Sequence, residues 1–321
     1  MKANDNKRIV AVGVGGAGAR MIDRIIANRT EGVEFIAVDT DWQSLKLCKA
    51  CKRLYIGRRD TKGTEISTVT DSVRGEEAAL LHAGEISEVL DGAAMVFILC
   101  GLGGSIGSGA AWVVAKLAKE QGIFTAAIVT RPFAFEDAIR LTNAKQGFRH
   151  IEEEADSVTV IPNDSALRGA KWEDSIWEAL KKTDEIIAQM VGQIARFRNQ
   201  VGLIILTLQD LQWIMKGAGP TYIGIGESGA EDLIKEAVPK AVQSVWQDIR
   251  ICGADRALVF IEGDISLMDL QEASIHIESL AGEDAEVFLG LNWMQSDRCM
   301  VMVIASGIEK YQTSRLWGRD V

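Results

Sequence analysis

Over its first 165 residues the chain alternates short apolar runs with amphipathic stretches, and that alternation limits the folds open to it. Runs at 8–14, 33–38, 53–56, 94–100, 125–130 and 158–161 are rich in β-branched and aromatic residues. They are bounded by Gly, Pro or Asp, as buried strands are. Between them, 17–27, 76–90, 110–120 and 135–153 carry helical patterns. Strand–helix–strand units join through right-handed crossovers, so the strands lie parallel and helices cover both faces of the sheet. The expected class is doubly wound α/β.

A longer helical stretch, about 172–197, then breaks the alternation, with Ile176, Leu180, Ile187, Met190, Val191 and Ile194 giving it one apolar face. Beyond it the sequence predicts helices near 208–215, 231–246 and 267–280, and strands at 257–262, 285–291 and 299–305. Helices grouped against a small mixed sheet make a second, smaller α/β domain. The 321 residues therefore divide into a first domain (1–171), a central linking helix (172–200), a second domain (201–307) and a short tail (308–321).

Charge and composition exclude several classes. A net charge of −10 with a pI of about 5.0 argues against nucleic-acid binding, and Arg58, Arg59 and Lys62 are the only tight basic cluster. No apolar run reaches the roughly 18–20 residues that span a bilayer, and the N-terminus lacks an apolar signal core. A cytoplasmic protein without direct membrane insertion is expected. The Cys48/Cys51 pair has no second pair or nearby histidine to complete a metal site, since His82, His150 and His276 are scattered; no metal site is expected.

Two glycine-rich loops carry the chemistry. The first strand runs into Gly13-Val14-Gly15-Gly16-Ala17-Gly18 and then a helix, whose free N–H groups and partial positive charge suit a phosphate. Taken alone this is the G-x-G-x-x-G dinucleotide fingerprint, and Asp39, 21 positions after Gly18, stands where a ribose-binding carboxylate belongs. A nicotinamide-dependent oxidoreductase is thus one reading. The second loop, Gly101-Leu102-Gly103-Gly104-Ser105-Ile106-Gly107-Ser108-Gly109, follows another buried strand and precedes another helix. Five glycines in nine residues with two hydroxyls make a second anion cradle, and two cradles favour one nucleoside triphosphate over a dinucleotide.

These segments resemble the FtsZ/tubulin superfamily. Gly103–Gly109 is similar to its Gly-Gly-Gly-Thr-Gly-Thr-Gly signature, Gly13–Gly18 to its first phosphate loop, and Val38-Asp39-Thr40-Asp41 to its Asn-Thr-Asp turn. Thr130-Arg131-Pro132-Phe133-Ala134-Phe135-Glu136, Ile161-Pro162-Asn163-Asp164 and Gly224-Ile225-Gly226 also correspond, in order, over about residues 8–307. The resemblance implies GTP or GDP as ligand, with Mg²⁺ as the candidate accompanying ion. It places Glu136 and Arg140 at the ribose and Asn163 and Asp184 at guanine, where a carboxylate would accept from N1–H and the exocyclic amine. It further implies a self-assembling, head-to-tail polymer, since a site on one face and a complementary loop on the other form a heterologous contact.

Departures from the family pattern bear on mechanism. Thr64-Glu65-Ile66-Ser67 stands where the family has a glycine-rich γ-phosphate loop, and Ile106 replaces a signature threonine. Where the family has Asn-x-Asp-x-x-Asp/Glu to polarise the attacking water, the chain reads Ile205-Leu206-Thr207-Leu208-Gln209-Asp210. Ile205 and Thr207 replace the Asn and Asp, leaving Asp210 as the one catalytic candidate and Gln209 as an alternative water-orienting group. A weak GTP hydrolase at most is expected. A non-polymerising GTP-binding scaffold is the alternative, with Ile205, Leu206 and Leu208 forming a static interface. The family's C-terminal linker and docking peptide have no counterpart in 306–321, so membrane attachment would need another protein partner.

Overall fold

The computed structural model describes residues 8–57, 71–168, 173, 175–197, 202–229, 233–282, 284–308 and 317. The substituted segment 64–67 and the basic cluster lie outside them. The chain forms two compact units, Met1–Ala195 and Arg196–Val321.

In the first unit, β1 (Arg8–Val14), β2 (Val33–Asp39), β3 (Lys52–Tyr55), β4 (Ala93–Gly101), β5 (Phe124–Arg131) and β6 (Ser157–Pro162) pair in parallel in the order β3-β2-β1-β4-β5-β6. Except in the edge strand β3, their central residues are fully buried, as the continuous apolar runs require: Val12 lies opposite both Ile36 and Ile98 in the register. Helices α1 (Gly15–Ala27), α2 (Trp42–Leu47), α3 (Ser72–Leu81), α4 (Ala83–Leu90), α5 (Ser105–Glu120), α6 (Ala138–Glu154) and α7 (Ile176–Arg196) complete the layers.

Strand order reverses between β1 and β4. The chain leaves β1 toward β2 and β3, and leaves β4 in the other direction toward β5 and β6. The loops after these two strands therefore diverge and leave a crevice at their carboxyl ends, which is where open α/β sheets bind ligands.

Helix α5 begins at Ser105, five residues before the predicted start, so Gly107 and Gly109 belong to a helix and not to a loop. They are there for close packing. A Cβ on Gly109 would collide with the Ser72 carbonyl at the start of α3, and one on Gly107 with the Gly101 carbonyl. The stretch predicted as one helix at 76–90 is two, broken at His82, whose Nδ1 lies 2.9 Å from the Ala78 carbonyl.

The second unit holds α8 (Leu208–Met215), β7 (Tyr222–Ser228), α9 (Leu233–Val242), β8 (Arg256–Gly263), α10 (Leu267–Ala281), β9 (Glu286–Trp293) and β10 (Cys299–Ser306). The sheet order is β9-β8-β10-β7. β8 and β9 run parallel, and β10 is antiparallel to both β8 and β7. β7 is a strand beyond those the sequence predicted for the second domain. Gly224 and Gly226 are strand residues whose missing side chains let α9 lie directly on the strand, where a Cβ would strike the Ala241 and Ala237 carbonyls. The buried Gln247 side chain accepts from the Ile223 N–H at 3.3 Å and donates to the Ile223 carbonyl of the same strand.

Candidate nucleotide site

The crevice between the β1 and β4 loops is a cleft of about 600 Å³, within the range of small-ligand sites. Helices α1 and α5 start at its rim, and neither has a side-chain cap or an acidic residue in its first turn. Elsewhere in the unit α2, α3 and α6 receive aspartate caps from Asp41, Asp71 and Asp137, while α4, continuing from α3, has none. An uncapped helix start leaves N–H donors and positive dipole ends for an anion. Two such starts meet here: a Cβ on Gly15 (φ +73°) would lie 3.3 Å from the Gly107 nitrogen.

The glycines divide their work. Gly13 and Gly18 pack against each other and against the Leu99 carbonyl, holding α1 down on β1 and β4. Gly16 and Gly104 have nothing within 4 Å of a notional Cβ and line the cleft, so their missing side chains leave ligand space. Gly103 adopts φ +105° against Pro132 and the Arg140 carbonyl, a conformation that favours glycine. The two hydroxyls assigned to the cradle brace it instead. Buried Ser108 Oγ accepts from the Gly103 N–H at 2.7 Å, and Ser105 Oγ donates to the Asp71 carbonyl at 2.7 Å.

Gly15, Gly16, Ala17, Asp39, Gly101, Gly104, Ser105, Ile106, Gly107, Glu136, Arg140 and Asn163 all line the cleft. Gly13, Gly18, Gly103, Ser108 and Gly109 support it from behind. Asp39 Oδ1 accepts from the Thr40 and Asp41 N–H groups at 2.7 and 3.2 Å, so it shapes the turn after β2. Glu136 accepts from the Phe133 N–H at 2.9 Å and pairs with Arg140 at 3.2 Å, and Asp164 accepts from Ala134 N–H, fixing the 131–137 loop at the cleft wall. Asn163 is nine-tenths buried at the end of β6. Its Oδ1 has no hydrogen-bond partner among the described residues, so a buried acceptor is left waiting for a donor.

Asp184 lies on α7, one turn after Leu180. Its side chain is 2% exposed, does not line the cleft, and is held by Arg20: Nε to Oδ2 is 2.5 Å and Nη2 to Oδ1 is 3.2 Å. Burial pushes the Asp184 carboxyl above the ordinary carboxylate range, against the pull of the Arg20 bond and the Arg20 and Arg24 charges. Arg20 itself lines the cleft, as do Ile176 and Leu180 of α7. The sequence reading missed Arg20 as a site residue. The available signal was its position four residues after Gly16, on the same face of α1.

In the second unit, Asp210 is the N3 residue of a capping box. Its Oδ2 accepts from the Thr207 N–H and hydroxyl, both at 2.7 Å, while Thr207 caps α8. Leu206 and Leu208 are buried, Leu206 against Gly290, so neither is an exposed contact. Leu203, Ile204 and Ile205 are 73, 40 and 56% exposed. Among the described residues no group of three or more His, Cys, Asp or Glu side chains gathers as a metal site, and no helix is long and apolar enough to cross a membrane.

A switch-point cleft with two anion-ready helix starts defines a phosphate-binding α/β protein. The family model for the Tubulin/FtsZ family, GTPase domain, matches residues 8–171, and that for the FtsZ family, C-terminal domain, matches 219–309. The chain belongs to the tubulin/FtsZ family. It is similar to cell division protein FtsZ 1 of Pyrococcus abyssi, 38% identical over 94% of this chain and 81% of the relative, and to that of Thermococcus kodakarensis, 40% identical over 88% and 76%. Among solved structures it is similar to an FtsZ dimer from M. jannaschii (33% identity, TM-score 0.84, covering 94% of this chain and 88% of that one). CetZ2 from Haloferax volcanii, solved as a GTPγS-bound protofilament, shares the fold at 23% identity and TM-score 0.82, with 97% of each chain covered. The family assignment displaces the oxidoreductase reading.

Proposed function

We infer that the chain binds GTP or GDP in this cleft and assembles head to tail into filaments that hydrolyse GTP slowly or not at all. The observation that carries the binding is the meeting of two uncapped helix N-termini around Gly16 and Gly104, with the orphaned Asn163 acceptor further along the same cleft. The helix starts would take the phosphates, Glu136 and Arg140 the ribose, and Asn163 the base. Mg²⁺ would come with the phosphates, which supply much of its coordination in nucleotide sites.

Support for weak hydrolysis comes from the 203–210 segment. Ile205 is apolar, and the one carboxylate, Asp210, is bonded to Thr207. Relatives named as cell division FtsZ proteins favour a cytoskeletal role in the cytoplasm, and any membrane attachment would fall to a separate protein partner. Sedimentation of the purified chain with GTP, GDP or neither, with phosphate release read on the same samples, tests this. GTP-dependent pelleting with little phosphate is the expected result. Tight GTP binding without pelleting would favour the non-polymerising scaffold, and no binding at millimolar GTP would end the nucleotide reading.

A further inference from the structure

The outer edge of the first sheet reverses the sign of the chain. Acidic residues outnumber basic ones 45 to 35 overall, yet from Trp42 to Arg59 the sequence carries six basic residues and no acidic one. Four of the six, Lys46, Lys49, Lys52 and Arg53, lie on or between α2 and β3, the terminal strand of the sheet. All four are exposed, and among the described residues none of them forms an ion pair. Carboxylates on the adjoining segments are held elsewhere. Asp23 accepts from the Lys49 N–H at 2.7 Å and not from its ammonium, and Asp41 accepts from the Gln43 N–H at 2.7 Å. Glu34 feels the Lys52 charge but is bonded to Arg8 at 2.9 Å.

Apolar side chains share this edge. Leu45, Cys48 and Ala50 fill the inward positions and are at most 2% exposed, while Leu47 is 83% and Trp42 46% exposed. Lysines on an edge strand keep foreign strands away, but that duty gives no reason for a bare leucine and tryptophan beside them. Unpaired cations around exposed Trp and Leu suit an anionic lipid surface, where phosphates take the charges and the apolar tips enter the headgroup layer. Single-stranded nucleic acid would need an open ring face on which to stack its bases. Here Lys46 lies over the Trp42 ring, 5.6 Å from its centre, and Tyr55 packs against it at 6.0 Å and 77°. The net charge of −10 does not forbid the approach, because charges beyond about 8 Å are screened at physiological ionic strength. We propose that the α2–β3 edge is a peripheral docking surface for anionic phospholipid headgroups, with Lys46, Lys49, Lys52 and Arg53 meeting the phosphates and Leu47 and Trp42 anchoring the contact. It gives the chain a direct hold on a membrane surface, beside any held through a protein partner.

The test is flotation of the full chain, without nucleotide, on vesicles of phosphatidylcholine alone or of equal parts phosphatidylcholine and phosphatidylglycerol. Flotation separates lipid-bound protein from filaments, which sediment. The chain should rise with the anionic vesicles only, and raised salt should release it. Lys49→Gln combined with Lys52→Gln should weaken the partition roughly 25-fold, at about 5-fold per cation. Leu47→Gln should weaken it about 5-fold and leave the salt dependence in place. Trp42 emission should shift to the blue on binding, and difference spectra against Trp42→Phe isolate that residue among the eight tryptophans. All these positions are exposed, and urea midpoints equal to wild type verify that the variants fold. Absence of flotation with the anionic vesicles overturns the proposal, as does flotation that the double lysine change leaves intact. Binding to a single-stranded oligonucleotide, lost in the double lysine variant and unaccompanied by flotation, would assign the edge to nucleic acid and overturn it as well.

Discussion

In the cleft of the first unit, each glycine either lets backbone pack against backbone or leaves room for a ligand, and two helix starts keep their N–H groups uncapped. In the 203–210 segment of the second unit, Thr207 and Asp210 bond each other, Leu203, Ile204 and Ile205 are exposed, and Gln209 is the one exposed polar side chain outside that bond. The first region is built to receive charge, and in the second the single carboxylate is already bonded. Binding a nucleotide and cleaving it are separate demands on a chain, and one can persist without the other.

That contrast breaks most easily at Ile205 and Thr207. Replacing them together by Asn and Asp should raise phosphate release in assembled protein, by up to about 10²–10⁴, the range for restoring a positioned acid–base group. Aspartate also caps helices well, so α8 should survive the change. No gain in pelleted, GTP-loaded material would mean that the segment does not act on a bound nucleotide.

A smaller effect sharpens the division of labour among the glycines. Gly18→Ala should lower unfolding stability by about 1–3 kcal/mol, because its Cβ would press on the Leu99 carbonyl and Gly13. Gly16→Ala should leave stability within about 1 kcal/mol while weakening GTP binding, since its Cβ enters the cleft. Urea denaturation and nucleotide titration of both variants read the two effects apart, and a Gly16→Ala variant with unaltered affinity would remove that glycine from the site. Smallest should be Asp210→Ala, costing about 1 kcal/mol or less through the lost half of a capping box, with GTP affinity unchanged. A fall in residual turnover beyond the loss of folded protein would return Asp210 to a catalytic role.

The parallel sheet was legible because its strands are buried on both faces and read as unbroken apolar runs; 8–14 and 94–100 are examples. β7 was not, because Gly224 and Gly226 are strand residues chosen for what packs over them from α9, and a local pattern registers only a turn signal. The cradle residues were legible from glycine spacing, although the same spacing hid that Gly109 serves the α3–α5 contact and Gly107 the close approach of α5 to the end of β4. Asp184 shows the limit most clearly. A motif fixes where a carboxylate sits on its helix, but Arg20, 164 residues away in sequence, decides which way its oxygens are spent.

The Gln247 amide has a bearing on the open edge of the second sheet. β7 is the outermost member of the four-stranded sheet, and the free flank of such a strand invites foreign backbone to extend it. By taking both polar groups of Ile223, one glutamine occupies that flank as a mock neighbour, so the sheet is blocked from growing sideways at that point. Strand recruitment along this edge is therefore opposed at Ile223 by a side chain of the chain itself.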